Sequence, residues 1–286
     1  MTAKMLLGEE LASRMKQELK EKLDALRKSG INPCVAAVHN PKDPAVRVYM
    51  RMQKKACNDM GVDYTIEEIS PSMTEDDVIA IVSRLNADKK VTGITVHLPL
   101  PSGMNTNRIL RTIFPTKDIE ATHPYNLGML AFGDHKPSPC AATAGVELLK
   151  SIKPVLKGLN TVIVGRSPMI GRAVAMLLLQ SKTDAPTPTI CHTATVDLSS
   201  YTRRADVLFA AAGSANLIRG NMIKPGAIVI DIGVNELDGK LVGDVNFDEA
   251  KEVAGWITPV PSGVGPVTLS VFLRNIYECA KLQRNL

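Results

Sequence analysis

The chain has 286 residues, 45% of them hydrophobic, which allows a sizeable core and about two domains. Lys and Arg number 34 against 29 acidic residues, a net charge of +5 that is spread along the chain. This mild excess suits small anionic ligands. Because the basic residues are spread out, the chain lacks the clustered basic stripe that is typical of a nucleic-acid-binding surface. The N-terminus does not have a signal-peptide pattern, and no apolar run reaches membrane-spanning length. The five scattered cysteines show no CxxC or metal-site spacing, so we expect a soluble cytoplasmic protein with reduced thiols and no bound metal.

Helices and strands alternate through the first half of the chain. Leucine and methionine at helical spacing predict a first helix from Gly8 to Lys28. Thr74, with Asp77 three residues later, has the pattern of a capping box at the start of another helix. The other predicted elements of this half are strands at 34–40, 62–69 and 91–97 and helices at 44–60 and 76–87.

The segment 115–140 is rich in Pro and Gly and poor in periodicity, which predicts loop structure with a short helix at most and a domain boundary. Alternation then resumes, and the final helix is not followed by a strand. The predicted elements are a helix at 144–153, a strand, turn and long helix over 160–180, strands at 188–193, 206–213 and 227–234, and a helix at 266–283. This order predicts an α/β fold with a mostly parallel sheet.

The turn "VGRSPMIG" places Gly165 and Gly171 between a strand and a helix, where backbone N–H groups can hold a phosphate. Two glycines are weaker evidence than a full GxGxxG pattern, and close helix packing is the alternative. The second strand ends in "CHTAT" without the acid that usually binds the ribose of NAD. Arg166 offers forked donors that suit a 2′-phosphate, so NADP is favoured over NAD. The competing interpretation is that Arg166 is a solvated surface charge.

Two further stretches suggest a ligand site. The segment "TPVPSGVGPVT", 258–268, is either a rigid turn between domains or a place where glycines let the backbone approach a ligand closely. In "YMRMQ", Tyr49 and Gln53 are four residues apart and therefore share one face of a helix. Gln53 can form hydrogen bonds there but cannot ionise.

These segments together resemble the methylenetetrahydrofolate dehydrogenase/cyclohydrolase family over nearly the full chain. The segments that carry the resemblance are "DPAVRVYMRMQKKACNDMGV", "GITVHLPLP", "PTKDIEATHPYNLGML", "KPSPCAAT", "VIVGRSPMIGRAVAMLLL", "GNMIKPGAIVIDIGVN", "KLVGDVNF" and "ITPVPSGVGPVT". The resemblance implies a folate-binding domain over 1–138 completed by 266–286, and a Rossmann-type NADP-binding domain over 139–265. It also implies a cleft between them, a reduced folate as substrate and a homodimer.

The resemblance also implies the site residues. Those expected to act in catalysis are Tyr49, Gln53, His97 and Glu120. The substrate would contact these four and also Val96, Leu98, Pro261, Ser262, Gly263, Val264 and Gly265. The cofactor would contact Gly165, Arg166, Ser167, Ile170, Gly171, Thr193, Gly213, Val234 and Thr268.

Several residues depart from the family's pattern, most of them in one pocket. Gln53 stands where the family has the lysine of the cyclohydrolase step, and His97 replaces a glutamine. Glu120 replaces an aspartate and is followed by Ala121 in place of glycine. Smaller departures are Val46 for serine, "PCAA" for "PCTP", and Ala194 for a residue that is often a cation.

These departures lead to one functional prediction and two alternatives. Hydride transfer needs placement of the reacting carbons and no side-chain proton, whereas ring hydrolysis needs protons to be taken and returned. We therefore predict an NADP-dependent methylenetetrahydrofolate dehydrogenase with weak or absent cyclohydrolase activity. One alternative is a bifunctional enzyme with His97 as base; we favour instead a simple hydrogen bond between His97 and Gln53. The other is a non-catalytic paralogue that binds folate or nucleotide.

Overall fold

The computed structural model of the protein describes residues 2–42, 44–134 and 136–284. Asp43, which opens the first family-like segment, lies outside the described residues, as do Met1, His135, Asn285 and Leu286 within the predicted domains. The chain forms two compact units. Met1–Arg14 and Pro139–Val271 make up the six-stranded unit, and Met15–Ser138 and Phe272–Leu286 make up the three-stranded unit.

Every long helix and strand predicted from the sequence is present, with ends that differ by a few residues. The strands are β1 Lys4–Met5, β2 Cys34–His39, β3 Asp63–Glu68, β4 Gly93–Val96, β5 Asn160–Val164, β6 Thr187–Cys191, β7 Val207–Ala210, β8 Ile228–Asp231, β9 Asn235–Leu237, β10 Lys240–Val242 and β11 Trp256–Ile257. The helices are α1 Glu9–Lys28, α2 Pro44–Asp59, α3 Glu75–Ala87, α4 Thr106–Leu110, α5 Pro124–Phe132, α6 Cys140–Ile152, α7 Ala173–Leu178, α8 Leu198–Thr202, α9 Phe247–Ala250 and α10 Val264–Leu282. A π-helical turn, Pro168–Arg172, runs directly into α7.

In the three-stranded unit the sheet is parallel, in the order β3-β2-β4. One face of β2 and β4, made by Ala36, Val38, Ile94 and Val96, joins a buried cluster with Val78 and Val82 of α3. The predicted capping box starts that helix: Thr74 Oγ1 accepts from Asp77 N at 3.3 Å, and Asp77 Oδ2 accepts from Thr74 N at 2.8 Å. The opposite face of the sheet does not take part in this cluster and is available for other contacts.

In the six-stranded unit the sheet has the order β1-β11-β8-β7-β5-β6, and all of its strand pairs are parallel. The chain begins this α/β run at β5, places β6 on one side and then crosses to β7 on the other. Such a reversal leaves a crevice at the carboxyl ends of the two strands, where ligands bind in open parallel sheets. The loops after β5 and β7 lie at this point.

Helix α5 occupies part of the segment predicted to be loop with a short helix at most. It runs for 9 residues, with His123 as the N-cap side chain and Gly133 at φ 93° closing the C-terminus. Among the described residues, no helix has both the length and the apolar character to cross a membrane. All five cysteines are free thiols.

Candidate functional site

A row of three polar side chains crosses the carboxyl edge of the three-stranded sheet. His39 of β2 is in register with Glu68 of β3, and Val38 is in register with Val96 of β4. His97 follows β4, and its N–H donates to the Val38 carbonyl at 2.9 Å. Because side chains alternate along a strand, Glu68, His39 and His97 project on the face opposite the Val38 and Val96 core. Tyr64, four residues before Glu68, lies on this same face.

Helix α2 supplies two more residues to this face. Gln53 is fully buried; its Oε1 accepts from Tyr64 Oη at 3.0 Å and its Nε2 donates to Glu120 Oε1 at 3.2 Å. The Tyr49 ring meets the His97 ring edge to face, with centroids 6.0 Å apart and an interplanar angle of 85°. The structure thus brings together Tyr49, Gln53, His97 and Glu120, which were selected from three separate sequence segments.

The structure corrects the expected partner of His97. Gln53 pairs with Tyr64 and Glu120 rather than with His97, and His97 Nε2 is without a hydrogen-bond partner among the described residues. The pKa of an unperturbed imidazole is about 6.5. Burial, together with the neighbouring His39, lowers the pKa of His97 to about 4. His97 is therefore neutral at physiological pH.

The loop that carries Glu120 is held by a buried carboxylate. Asp118 accepts from Thr122 Oγ1 at 3.1 Å, from the His123 N–H at 2.8 Å and from Asn126 Nδ2 at 2.9 Å. Burial raises the pKa of Asp118, while these donors act in the opposite direction. Ala121 has a φ of 52°, in the left-handed region that favours glycine. The backbone beside Glu120 is therefore strained and tightly tied.

Sequence reasoning missed His39, Tyr64 and Asp118 as parts of this pocket. A histidine at the end of a buried strand was the available signal for His39. Of the predicted neighbours, Val96 packs into the core on the opposite face of the sheet, and Leu98 is partly exposed. Within the described residues, His, Cys, Asp and Glu do not cluster in groups of three or more that could hold a metal ion.

The glycine turn of the six-stranded unit requires both of its glycines. Gly165 has a φ of 127°, and a Cβ there would lie 2.0 Å from the Ala211 carbonyl oxygen. A Cβ on Gly171 would lie 2.0 Å from the Gly165 carbonyl oxygen. Ser167 Oγ accepts from the Ile170 N–H at 3.2 Å and so starts the π-helical turn. This close approach of strand, turn and helix is the backbone arrangement that a dinucleotide phosphate needs.

Four of the other predicted cofactor residues lie in loops of the same unit. Arg166, Thr193, Gly213 and Val234 are exposed, and they follow β5, β6, β7 and β8 respectively. These loops stand at the carboxyl edge of the sheet, where a ligand of this fold binds. Thr268 is buried in α10, and its hydroxyl donates to the Val264 carbonyl at 3.1 Å.

Two buried aspartates, both missed from the sequence, tie the loops after β7 and β8. Asp244 accepts from the N–H groups of Ala212, Gly213 and Ser214 at 2.5, 3.0 and 2.9 Å, and from Asn235 Nδ2 at 2.9 Å. Asp231 accepts from the N–H groups of Gly233, Asp244 and Val245 at 2.9 to 3.1 Å. Burial raises the pKa of Asp231 to about 7. The sequence signal that could have identified Asp231 and Asp244 was the repeated Asp and Gly in "DIGVN" and "VGDV".

The predicted substrate segment 261–265 also lies in the six-stranded unit. Ser262 has a φ of 84°, and its carbonyl accepts from the Gly8 N–H at 2.9 Å. A Cβ on Gly263 would lie 2.6 Å from the Pro259 carbonyl oxygen. Pro261 and Gly265 are exposed, whereas Gly263 and Val264 are buried. The segment is therefore a tight turn held against the start of the chain.

Comparisons with known proteins agree with this arrangement. Residues 6–120 match the catalytic domain of the tetrahydrofolate dehydrogenase/cyclohydrolase family, and residues 139–284 match its NAD(P)-binding domain. The chain is 42% identical over 290 residues to "Bifunctional protein FolD" of Acetivibrio thermocellus, with 100% of both chains covered.

Two solved structures are also similar over their whole length. The bifunctional FolD enzyme of Campylobacter jejuni has a TM-score of 0.92 at 39% identity, covering 98% of this chain and 99% of that one. The Trypanosoma brucei methylenetetrahydrofolate dehydrogenase-cyclohydrolase, complexed with NADP and an inhibitor, has a TM-score of 0.92 at 34% identity, with 100% of both chains covered. The chain belongs to the tetrahydrofolate dehydrogenase/cyclohydrolase family.

Proposed function

We propose that the chain is an NADP-dependent 5,10-methylenetetrahydrofolate dehydrogenase. The observation that carries the proposal is the Gly165 to Gly171 turn, placed at the strand reversal of the six-stranded sheet in a chain of this family. NADP, when bound, accepts a hydride from the methylene carbon of the reduced folate. The residues for it would be those of the glycine turn and of the loops after β6, β7 and β8.

The residues of the three-stranded unit would bind and orient the folate. Tyr49, held edge to face against His97, would offer its ring to the flat part of the substrate. Glu120 is the acceptor available for ring N–H groups, and Gln53 donates to it, which holds the carboxylate in position. Hydride transfer requires no proton from these side chains, so the neutral Gln53 does not oppose it.

The assay is a spectrophotometric one with methylenetetrahydrofolate and either NADP or NAD. Production of NADPH supports the dehydrogenase proposal. Tight binding of folate or nucleotide without any reduced cofactor would instead support a non-catalytic paralogue.

Arg166 is the proposed determinant of NADP preference. It is exposed in the phosphate turn, and the T. brucei relative with NADP supports the same cofactor here. We expect Arg166→Ala to raise KM for NADP by roughly 10- to 100-fold, as for loss of a forked charged contact, and to change KM for NAD little. Arg219→Ala, which removes a cation paired with Glu249 at 3.0 Å, is the matched control. An equal loss with both cofactors would contradict the assignment.

Ring hydrolysis is the second proposed function. The names of the bifunctional relatives support this alternative better than our prediction of a weak or absent cyclohydrolase. Gln53 cannot titrate, so the proton acceptor of this step must be another residue. His97, neutral and against Tyr49, is the proposed base. Hydrolysis of methenyltetrahydrofolate by the purified protein, above a protein-free blank, tests this function separately from the dehydrogenase.

The variant Gln53→Lys tests whether an amine at this position restores the pattern of the family. Glu120 lies within hydrogen-bond distance of the side chain at position 53, so it would hold the lysine as an ammonium ion. We expect a gain in hydrolysis of less than about 10-fold from this change alone. Adding Glu120→Asp withdraws the carboxylate by one methylene, and we expect a gain of about 10²-fold, within the range of a positioned acid or base. Equal rates for the single and double variants would refute this account.

We also propose a homodimer, which the family resemblance implies. Light scattering after size-exclusion chromatography measures the mass directly, and the 30.9 kDa of a single chain would contradict a dimer.

A further inference from the structure

His39 and His97 are both buried imidazoles. The exposed fractions are 1% for His39 and 6% for His97. Among the described residues, both ring nitrogens of His39 and Nε2 of His97 have no hydrogen-bond partner. Folded proteins give nearly all buried polar atoms a hydrogen-bond partner, and each exception needs a specific explanation, of which a catalytic role is one. Three such atoms in two adjacent side chains call for a functional explanation.

The row continues from these imidazoles to solvent. His39 Nε2 lies 3.8 Å from Glu68 Oε1, and the Glu68 side chain is 67% exposed. At the other end, His97 packs against Tyr49 in the candidate folate pocket. Neighbouring parallel strands lie about 4.8 Å apart, so residues in register along one edge are side by side. Glu68, His39 and His97 therefore lead from water to the pocket.

The electrostatics explain why His97 needs such a neighbour. Burial lowers the pKa of His97, and a positive charge on His39 would lower it further. His97 is therefore neutral at neutral pH, with a lone pair free to take a proton, and it loses that proton easily. An exposed carboxylate is a favourable destination, because water solvates it and the bulk can take the proton away.

We propose that His39 and Glu68 form the proton exit of His97 during ring hydrolysis, an inference that rests on the second proposed function. Water forms a C–O bond to the amidinium carbon while one of its protons passes to His97. The ring C–N bond then breaks as the hydroxyl proton moves to the released nitrogen, which leaves a formyl group on the other nitrogen. The proton on His97 moves through His39 to Glu68 and into solvent, so each turnover releases one proton.

His97 is the catalytic residue in this scheme, and His39 and Glu68 are positioning residues that act through it. The test measures methenyltetrahydrofolate hydrolysis and NADPH formation on the same preparations of the full chain, and it compares the ratio of the two rates. We expect His97→Asn to lower this ratio by about 100-fold or more, and His39→Asn to lower it by about 10-fold. A general loss of folding would lower both rates and leave the ratio unchanged.

Glu68→Gln changes an exposed side chain, so we expect the variant to fold normally. Its hydrolysis rate is expected to fall about 3-fold in dilute buffer and to recover as a small diffusible base such as imidazole is added, because the base replaces the missing carboxylate. Glu67→Gln is the matched control: it removes the same charge one residue earlier, on the opposite face, where Glu67 pairs with Arg84 at 2.9 Å. We expect its ratio and buffer dependence to match those of the unmodified chain.

Three results would overturn the proposal. The first is an unmodified chain that forms NADPH but does not hydrolyse methenyltetrahydrofolate. The second is a His39→Asn variant with an unchanged ratio, and the third is a Glu68→Gln variant that responds to buffer as Glu67→Gln does. A chain that performs neither reaction would refute the proposed function itself.

Discussion

Gly165→Ala is expected to abolish NADP binding and to lower the free energy of unfolding of the six-stranded unit by about 3 kcal/mol or more. Two causes add. The φ of 127° is accessible to glycine and strained for any other residue, and the new Cβ would lie 2.0 Å from the Ala211 carbonyl oxygen. That oxygen belongs to the backbone after β7, so relief of the overlap would open the strand reversal itself.

The measurements for Gly165→Ala are thermal unfolding and NADP titration by fluorescence. Gly128→Ala is the matched control, because Gly128 is in helix α5, is exposed and has open space around its Cβ position. We expect this control to gain roughly 0.5 to 1 kcal/mol, the difference in helix propensity between alanine and glycine. If Gly165→Ala binds NADP normally, the close approach of turn and strand is not required for the cofactor.

Asp244→Asn is expected to destabilise the six-stranded unit by about 3 kcal/mol and to weaken NADP binding at least 10-fold. The buried carboxylate accepts from three consecutive N–H groups after β7 and from Asn235. An amide of the same shape would place its NH₂ group against one of these donors, which leaves buried N–H groups without an acceptor. The loop that contains Gly213 would lose its shape as a consequence.

Asp248→Asn, four residues later, is the control for this prediction. Asp248 is exposed and pairs with Lys251 at 2.6 Å, and exposed ion pairs contribute little to stability. We expect its melting curve and NADP titration to match those of the unmodified chain. Equal behaviour of the Asp244 and Asp248 variants would show that the buried carboxylate does not organise the cofactor loop.

Much of the fold could be predicted because its long elements carry local signals. The leucine spacing of α1 and the Thr74 capping box are examples that the structure confirms. The elements missed were short ones, such as β1 and β11, which have 2 residues each. They pair with each other and exist only because β8 offers an edge. Such pairing depends on tertiary structure, which cannot be predicted from short stretches of sequence.

The pocket, like the fold, could be predicted only where short stretches of sequence carry a signal. Family-like segments identified Tyr49, Gln53, His97 and Glu120, which the structure brings together. His39 and Tyr64 were missed because their membership depends on strand register and on which face of the sheet turns toward α2. The low pKa of His97 could not be predicted either, because it follows from burial and from a neighbour 58 residues away in sequence.

The two faces of the three-stranded sheet allow its chemistry and its stability to change separately. The face made by Ala36, Val38, Ile94 and Val96 keeps the hydrophobic cluster with α3. The other face carries His39, His97 and Tyr64, whose exchange would alter hydrogen bonding and charge without opening that cluster. New catalytic groups can therefore be tried by single substitutions on an unchanged scaffold. An insertion or deletion of one residue within β2 would instead exchange the two faces, and both properties would be lost together.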